Sequence, residues 1–365
     1  MNILFRVDAS NDIGGGHVLR CLNLAIALNK KGANVEFLCM DLVGNLVGKI
    51  RMAGFTCHTL DRPLRNIHLL NKKKSIRNRF TPKWWSDANK TLSFLKGRSI
   101  PYDLMVVDHY DLDINWERQI RPFVGKLMVI DDLADRKHEC DIFVCQVYGT
   151  SAKDYVGLLS SNCQSLFGAD YILMDPNFYQ IRKYSKMRRS DESKLHLFFG
   201  TNDTDGLTIR FTNLILRNFS NIKVKVAING EFPFQSCLER LSSEFGSRME
   251  WEKNITDMAL HYRGCSFAFG TPGMSTWERA CMGLPSLHIM NNPSQHDIME
   301  KLEKLGFCRC IGDTKTVSDK QFVDGLKYFL MDQHNLIKMR KIGLSVIDGG
   351  GVFRVADFVL DSNNG

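Results

Sequence analysis

A histidine directly after three glycines is the residue of this chain whose setting most suggests chemistry. The segment runs Asp12-Ile13-Gly14-Gly15-Gly16-His17-Val18-Leu19-Arg20-Cys21-Leu22. Ahead of it an apolar run, Ile3 to Val7, ends at Asp8; behind it Val18, Cys21, Leu22, Ala25 and Leu28 recur at helical spacing. The pattern is strand, glycine turn, helix. Glycines let the backbone approach a ligand without a Cβ in the way. The unpaired N–H groups of a helix start attract anions, phosphate above all. An imidazole, with an ordinary pKa of about 6.5, can exchange a proton with whatever that phosphate belongs to. The spacing is not the dinucleotide fingerprint, because His17 and Leu19 fill its later positions, and no Gly-Lys-Ser/Thr follows to make a P-loop. Taken alone, a histidine that merely caps the helix explains His17 as well as a catalytic one.

A second strand, glycine turn and helix lies at Gly270-Thr271-Pro272-Gly273-Met274-Ser275-Thr276-Trp277-Glu278-Arg279, and Gly283-Leu284-Pro285 closes it. Ser275 and Thr276 suit a helix cap or a phosphate. Glu278 repels a phosphate but suits the two hydroxyls of a ribose. Spacing alone favours a capping box of Ser275 with Glu278 over the ribose contact. Downstream, Asn291, Asn292, Gln295 and His296 form a polar loop suited to sugar hydroxyls or amides, with a plain turn and cap as the alternative. Asp108-His109-Tyr110 and Asp131-Asp132 follow two further apolar runs. Their carboxylates either orient a ligand or a histidine, or cap the next helices.

The elements that must position these residues come in two series. Apolar runs at Ile3–Val7, Val35–Cys39, Leu104–Val107, Leu127–Ile130 and Ile142–Cys145 alternate with helical patterns. Their lack of polar alternation fits strands buried on both faces of a parallel sheet. Residues 175–194 turn basic and polar, as a linker would. The alternation restarts at Leu195–Phe199, Val224–Ile228, Phe267–Phe269 and Leu287–Met290. The expected fold is α/β: two doubly wound Rossmann-like domains, with ligands at the carboxyl ends of the strands and a cleft between the domains. Residues 1–182 make the domain with the histidine loop, 183–343 the second, and 344–365 a terminal helix crossing back to the first.

Composition bounds the remaining possibilities. With 365 residues, 44% of them hydrophobic and 24% charged, the chain has the make-up of an ordinary globular protein. No apolar run approaches the roughly 20 residues needed to cross a bilayer, and no signal peptide is recognisable at the start. The 11 cysteines show no framework spacing and point to reduced thiols in a cytoplasm. Cys308 and Cys310 have no matching pair nearby, so no zinc or other metal is expected. The net charge of +8 is concentrated in Arg62, Arg65, Lys72, Lys73, Lys74, Arg77, Arg79 and Lys83, and again in Arg182, Lys183, Lys186, Arg188 and Arg189. Without interleaved aromatic residues the first run argues against nucleic acid. A solvated loop near an anionic substrate explains it.

Taken together, the motifs resemble the UDP-sugar hydrolases of pseudaminic acid synthesis, relatives of the MurG-like GT-B glycosyltransferases. Arg6-x-Asp8 with Ile13-Gly14-x-Gly16-His17-Val18-x-Arg20-Cys21 is similar to that family's first signature. Ile130-Asp131-Asp132-Leu133-Ala134-Asp135-Arg136 and Ser275-Thr276-Trp277-Glu278-Arg279 with Gly283-Leu284-Pro285-Ser286 are similar to later ones. The chain departs from the family at Gly200-Thr201-Asn202-Asp203 and at Thr271-Pro272-Gly273-Met274. The resemblance implies a GT-B-like fold, a UDP-sugar substrate, no cofactor, and hydrolysis of a UDP-linked 2,4-diacetamido-2,4,6-trideoxyhexose of altrose type. His17 is then the base that activates water. Gly14, Gly15 and Gly16, with Gly273, Ser275, Thr276 and Glu278, hold the nucleotide, and Asp8, Tyr110 and Gln295 contact the sugar; the sequence leaves the oligomeric state open, with a monomer favoured. The competing readings are a MurG-like transferase that passes the sugar to an acceptor and a nucleotide-sugar binding protein without turnover.

Overall fold

The computed structural model describes residues 1–62, 84–185, 193–200, 203–230 and 232–362. The chain divides into two compact units, Met1–Pro176 with Gly350–Gly365, and Asn177–Gly349. The first contains β1 (Asn2–Val7), α1 (Gly16–Lys30), β2 (Asn34–Met40), α2 (Val47–Met52), β3 (Thr56–Leu60), α3 (Trp84–Lys96), β4 (Tyr102–Asp108), α4 (Ile114–Ile120), β5 (Val124–Ile130), β6 (Ile142–Cys145) and β7 (Gln164–Phe167). Its seven-stranded sheet is parallel, in the order β3-β2-β1-β4-β5-β6-β7. The chain steps from one side of the sheet to the other between β1 and β4, which puts the crevice for a ligand at their carboxyl ends.

Side chains leave a strand on alternate faces, and here that alternation sorts the charged residues. Ile3, Phe5, Leu104, Val106, Met128 and Ile130 pack on one face with Val18, Cys21, Leu22 and Ala25 of α1. Leu4, Met105, Val107, Leu127 and Val129 pack on the other with Trp116 and Ile120 of α4. Asp108 continues the series that meets α1. Asp8 continues the series of Leu4 and Arg6, which meets α3 and α4.

The second unit contains α5 (Pro176–Ser185), β8 (Lys194–Phe198), α6 (Leu207–Asn218), β9 (Lys223–Ile228), α7 (Gln235–Phe245), β10 (Met249–Lys253), α8 (Met258–Tyr262), β11 (Phe267–Gly270), α9 (Met274–Cys281), β12 (Ser286–Met290), α10 (His296–Leu305), β13 (Cys308–Asp313), α11 (Asp319–Met331) and α12 (Gln333–Val346). Its six strands are parallel in the order β10-β9-β8-β11-β12-β13, and the order reverses between β8 and β11. The last helix, α13 (Gly351–Asp361), belongs to the first unit. There Val352, Val355, Ala356 and Val359 join the cluster that holds α1.

Two readings of the sequence change here. The segment after residue 175 is not a linker throughout: Pro176 opens α5, and Phe178 is buried with its ring centroid 6.1 Å from that of Tyr262. The first unit therefore closes at Pro176 rather than at 182, and the second extends past 343 to Gly349. Of the basic residues, Arg65 to Lys83 and Lys186, Arg188 and Arg189 lie outside the described residues.

Candidate active site

The loop leaving β1 is closed on itself. Gly14 N–H donates to the Ser10 carbonyl at 2.8 Å, and Ser10 Oγ accepts from Ile13 N–H at 3.0 Å. Gly14 takes φ +81°, a left-handed conformation that favours glycine. Gly15 is the N-cap of α1 and no side chain caps that end, so the first N–H groups of the helix stay open to a ligand. His17 is the second residue of α1 and does not cap it.

His17 Nδ1 lies 2.6 Å from Asp108 Oδ1. The same carboxylate accepts from Arg20 Nε at 2.6 Å and Nη2 at 2.7 Å, and from the Cys21 thiol at 3.4 Å. Arg20 Nη1 reaches Asp132, whose other donor is the Tyr110 hydroxyl at 3.0 Å. The Tyr110 ring stands edge-on to His17, with centroids 4.5 Å apart at 85°. Burial alone would raise the pKa of Asp108, but Arg20 and His17 outweigh it and hold the carboxyl well below the usual carboxylate range. Burial, and then Asp132, push the Tyr110 phenol upward. Burial, and then Asp108, do the same to the Cys21 thiol, which is no nucleophile at neutral pH.

This geometry gives the two ring nitrogens of His17 different tasks. An ionised Asp108 accepts the Nδ1 proton and fixes that tautomer, which leaves a lone pair on Nε2. Nε2 has no hydrogen-bond partner among the described residues, and the side chain keeps 13% of its surface exposed. The arrangement is a base with an orienting carboxylate behind it.

Asp8 has another role. Arg6 grips it at 2.6 and 2.9 Å, Met40 N–H donates at 2.6 Å, and His109 Nε2 lies 3.3 Å away. Arg6 also pairs with Asp87, which accepts from Trp116 Nε1 at 2.8 Å. Burial favours a neutral Asp8, yet Arg6 prevails and holds the carboxyl well below the usual range. Strand alternation turns Asp8, expected at the sugar, away from α1: its two oxygens meet Arg6, Met40 N–H and His109, while Asp87 joins α3 to α4 beneath β1. Asp131, one residue from Asp132, also faces away and pairs with Arg136 at 2.6 Å.

In the second unit α9 begins at Met274 with Gly273 as its N-cap, so Ser275 falls inside the first turn. The expected box of Ser275 with Glu278 does not form. Thr276 Oγ1 instead accepts from Gly273 N–H at 3.2 Å, and Glu278 accepts from the Tyr262 hydroxyl at 3.1 Å. Gln295 spends its amide on main chain, accepting from Asn291 N–H at 3.0 Å and donating to the Pro272 carbonyl at 3.3 Å, so it braces the glycine turn. Gly14, Gly15, Gly16, His17 and Tyr110 thus gather in the first unit; Gly273, Ser275, Thr276, Glu278 and Gln295 gather in the second. Arg20 is the member of the first group that sequence reasoning missed, although its place three residues after His17 puts both on one helix face. Among the described residues no group of three or more His, Cys, Asp or Glu side chains is placed to hold a metal ion. No described helix is long and apolar enough to cross a membrane.

Two parallel-sheet α/β units of this kind place the chain in the GT-B-like fold class. MurG of Acinetobacter baumannii superposes with a TM-score of 0.67 at 11% identity, covering 99% of each chain. Arabidopsis thaliana UGT89C1, complexed with UDP, superposes at 0.63 and 13% identity, again over 99% of each. In sequence the chain is 26% identical, over 214 residues, to the UDP-2,4-diacetamido-2,4,6-trideoxy-beta-L-altropyranose hydrolase of Campylobacter jejuni, an alignment covering 58% of this chain and 65% of that one. It is 22% identical over 356 residues to an uncharacterized protein of Methanocaldococcus jannaschii, covering 95% of this chain and 66% of the relative. The chain thus spans just under two thirds of the length of either relative. No family model matches it.

Proposed function

We propose that the chain is a UDP-sugar hydrolase whose substrate is a UDP-linked 2,4-diacetamido-2,4,6-trideoxyhexose. The reading is carried by one observation, the 2.6 Å contact of Asp108 with His17 Nδ1 that leaves Nε2 open. Similarity to the Campylobacter jejuni hydrolase supports the sugar, and a UDP complex of the same fold supports the nucleotide. In the reaction, water gives a proton to His17 Nε2 as its oxygen bonds to the anomeric carbon. The bond from that carbon to the diphosphate breaks, and UDP leaves with the electron pair. Asp108 steadies the imidazolium that forms. We assign Gly14, Gly15 and Gly16 to the diphosphate, Gly273, Ser275, Thr276 and Glu278 to the nucleotide, and Tyr110 to the sugar.

The test is incubation with UDP-activated bacillosamine-type and altrose-type diacetamido sugars in ¹⁸O-water, without an acceptor. UDP and free sugar are expected, with the label on the anomeric oxygen. His17→Asn abolishes release and retains UDP binding by calorimetry. Full activity of that variant would sink the assignment. A requirement for an acceptor would make the chain a transferase, and UDP binding without turnover on any sugar would make it a binding protein.

A further inference from the structure

The second unit holds a positive charge that the reaction above does not use. Arg279, on α9, is fully buried. Its Nη2 donates to the Phe198 carbonyl at 3.2 Å, while Nε and Nη1, both buried, have no hydrogen-bond partner among the described residues. No carboxylate among the described residues forms an ion pair with it; the adjacent Glu278 accepts from Tyr262. The Tyr262 hydroxyl stands between the two side chains and interacts with both, so the Glu278 carboxylate meets Arg279 only across it. Burial, and then Arg279 itself, push His196 and His288 well down, so both stay neutral, and burial pushes the Tyr262 phenol up. A buried guanidinium with no direct ion pair and two unsatisfied nitrogens is costly and calls for an explanation.

Its position supplies one. Phe198 ends β8, Gly270 ends β11, and the two residues are paired in register. These are the strands between which the order of the sheet reverses, where a parallel α/β unit opens its ligand crevice. A Cβ on Gly270 would sit 1.8 Å from the Phe198 carbonyl oxygen and 2.8 Å from Arg279 Nη2. The bare glycine is what lets the guanidinium come up against the ends of both strands. Thr271 to Gly273 follow directly, and α9 starts there without a side chain capping it from Gly273. A buried charge is little screened by water, so it acts through a turn of this thickness.

We propose that Arg279 is the counter-charge, held beneath the turn at 270–273, for the diphosphate of a ligand bound at the carboxyl ends of β8 and β11, and that it sets the affinity of that site. It is a positioning residue, acting on the ligand through the turn. That the diphosphate belongs to a uridine nucleotide rests on the function proposed above; the anion site itself does not.

The experiment combines thermal melts and calorimetric titrations of the full chain with UDP, ADP and inorganic pyrophosphate, for wild type, R279M and R279K. Without ligand, R279M is expected to melt at or above the wild-type temperature, because a buried charge with two unsatisfied nitrogens has been removed. Its affinity for a diphosphate is expected to fall about 10- to 100-fold, and R279K to recover most of that loss. Stability and affinity then move in opposite directions, which a packing role does not produce. An R279M that unfolds, or melts lower and binds UDP as wild type does, overturns the proposal and leaves the UDP reading standing. Arg279-dependent binding of ADP and pyrophosphate with none of UDP supports the anion site and overturns the uridine reading. A wild-type protein that binds no diphosphate overturns both.

Discussion

In the proposed reaction, His17 touches the reacting water and Asp108 only orients His17. Asp108→Asn keeps the shape but replaces an acceptor with an amide that can donate to Nδ1. The ring then carries its proton on Nε2, where the lone pair is needed. We expect kcat to fall by about 10²- to 10⁴-fold with KM little changed, read from initial rates of UDP release. Loss of stability alone would lower the active fraction and leave the kinetics of the folded enzyme intact. His17 was legible in the sequence because three glycines and a strand end frame it. Asp108 was visible as a carboxylate at a strand end, able to orient a histidine. Arg20 was not, because an arginine on an amphipathic helix ordinarily belongs to its solvated face; here it bridges Asp108 and Asp132 and is buried. The facing of Asp8 was not legible without a register argument. One step along a strand moves a side chain to the other face of the sheet.

Among elements, those found and those missed differ by position in the sheet. Every strand read from a continuous apolar run is interior: β1, β2, β4, β5 and β6 in one sheet, β8, β9, β11 and β12 in the other. The four missed, β3, β7, β10 and β13, are the four edges. Thr56-Cys57-His58-Thr59-Leu60 and Met249-Glu250-Trp251-Glu252-Lys253 alternate with polar residues because one side meets solvent, and the criterion of an unbroken apolar run cannot register them. The basic stretch at 176–185 misled for a related reason: its composition is that of a linker, while only a few residues such as Phe178 meet the core. Helix α13 offers a direct test. A Cβ on Gly351 would fall 2.5 Å from the Ile172 carbonyl oxygen and 2.6 Å from its nitrogen, both main chain and unable to yield. Gly351→Val should therefore lower stability by about 1–3 kcal/mol, read as a fall in melting temperature of the first unit. A wild-type melt would show that α13 does not need so close an approach.

For the whole molecule, buried histidines and buried carboxylates set different responses to acid. Burial lowers His261 to about 4 and His288 to about 3, and drives His196 down as well; all three are in the second unit. Unfolding lets each recover a pKa of about 6.5, so the unfolded chain binds more protons between the folded value and 6.5. Their contribution is complete above that pH and declines as pH falls through the window, by up to about 1.4 kcal/mol per histidine per pH unit. Asp8 and Asp108, in the first unit, have lowered pKa values, and their contribution is lost only below about pH 4. Pulsed hydrogen exchange at one common labelling pH, after equilibration between pH 7 and 3, should open residues 193–349 at a higher pH than residues 1–176. Simultaneous opening would contradict the separation.

The place of α13 in the first unit also bears on how the protein is made. Val18 and Leu22 of α1 share their apolar cluster with Val352 and Val355, and 173 residues, 177 to 349, are synthesised between the body of that unit and its closing helix. At typical translation rates that interval is on the order of 10–30 seconds. Throughout it the apolar flank of α1 has nothing over it, and the second unit can finish folding before the first is able to. A nascent first unit in this state is a natural client for chaperones.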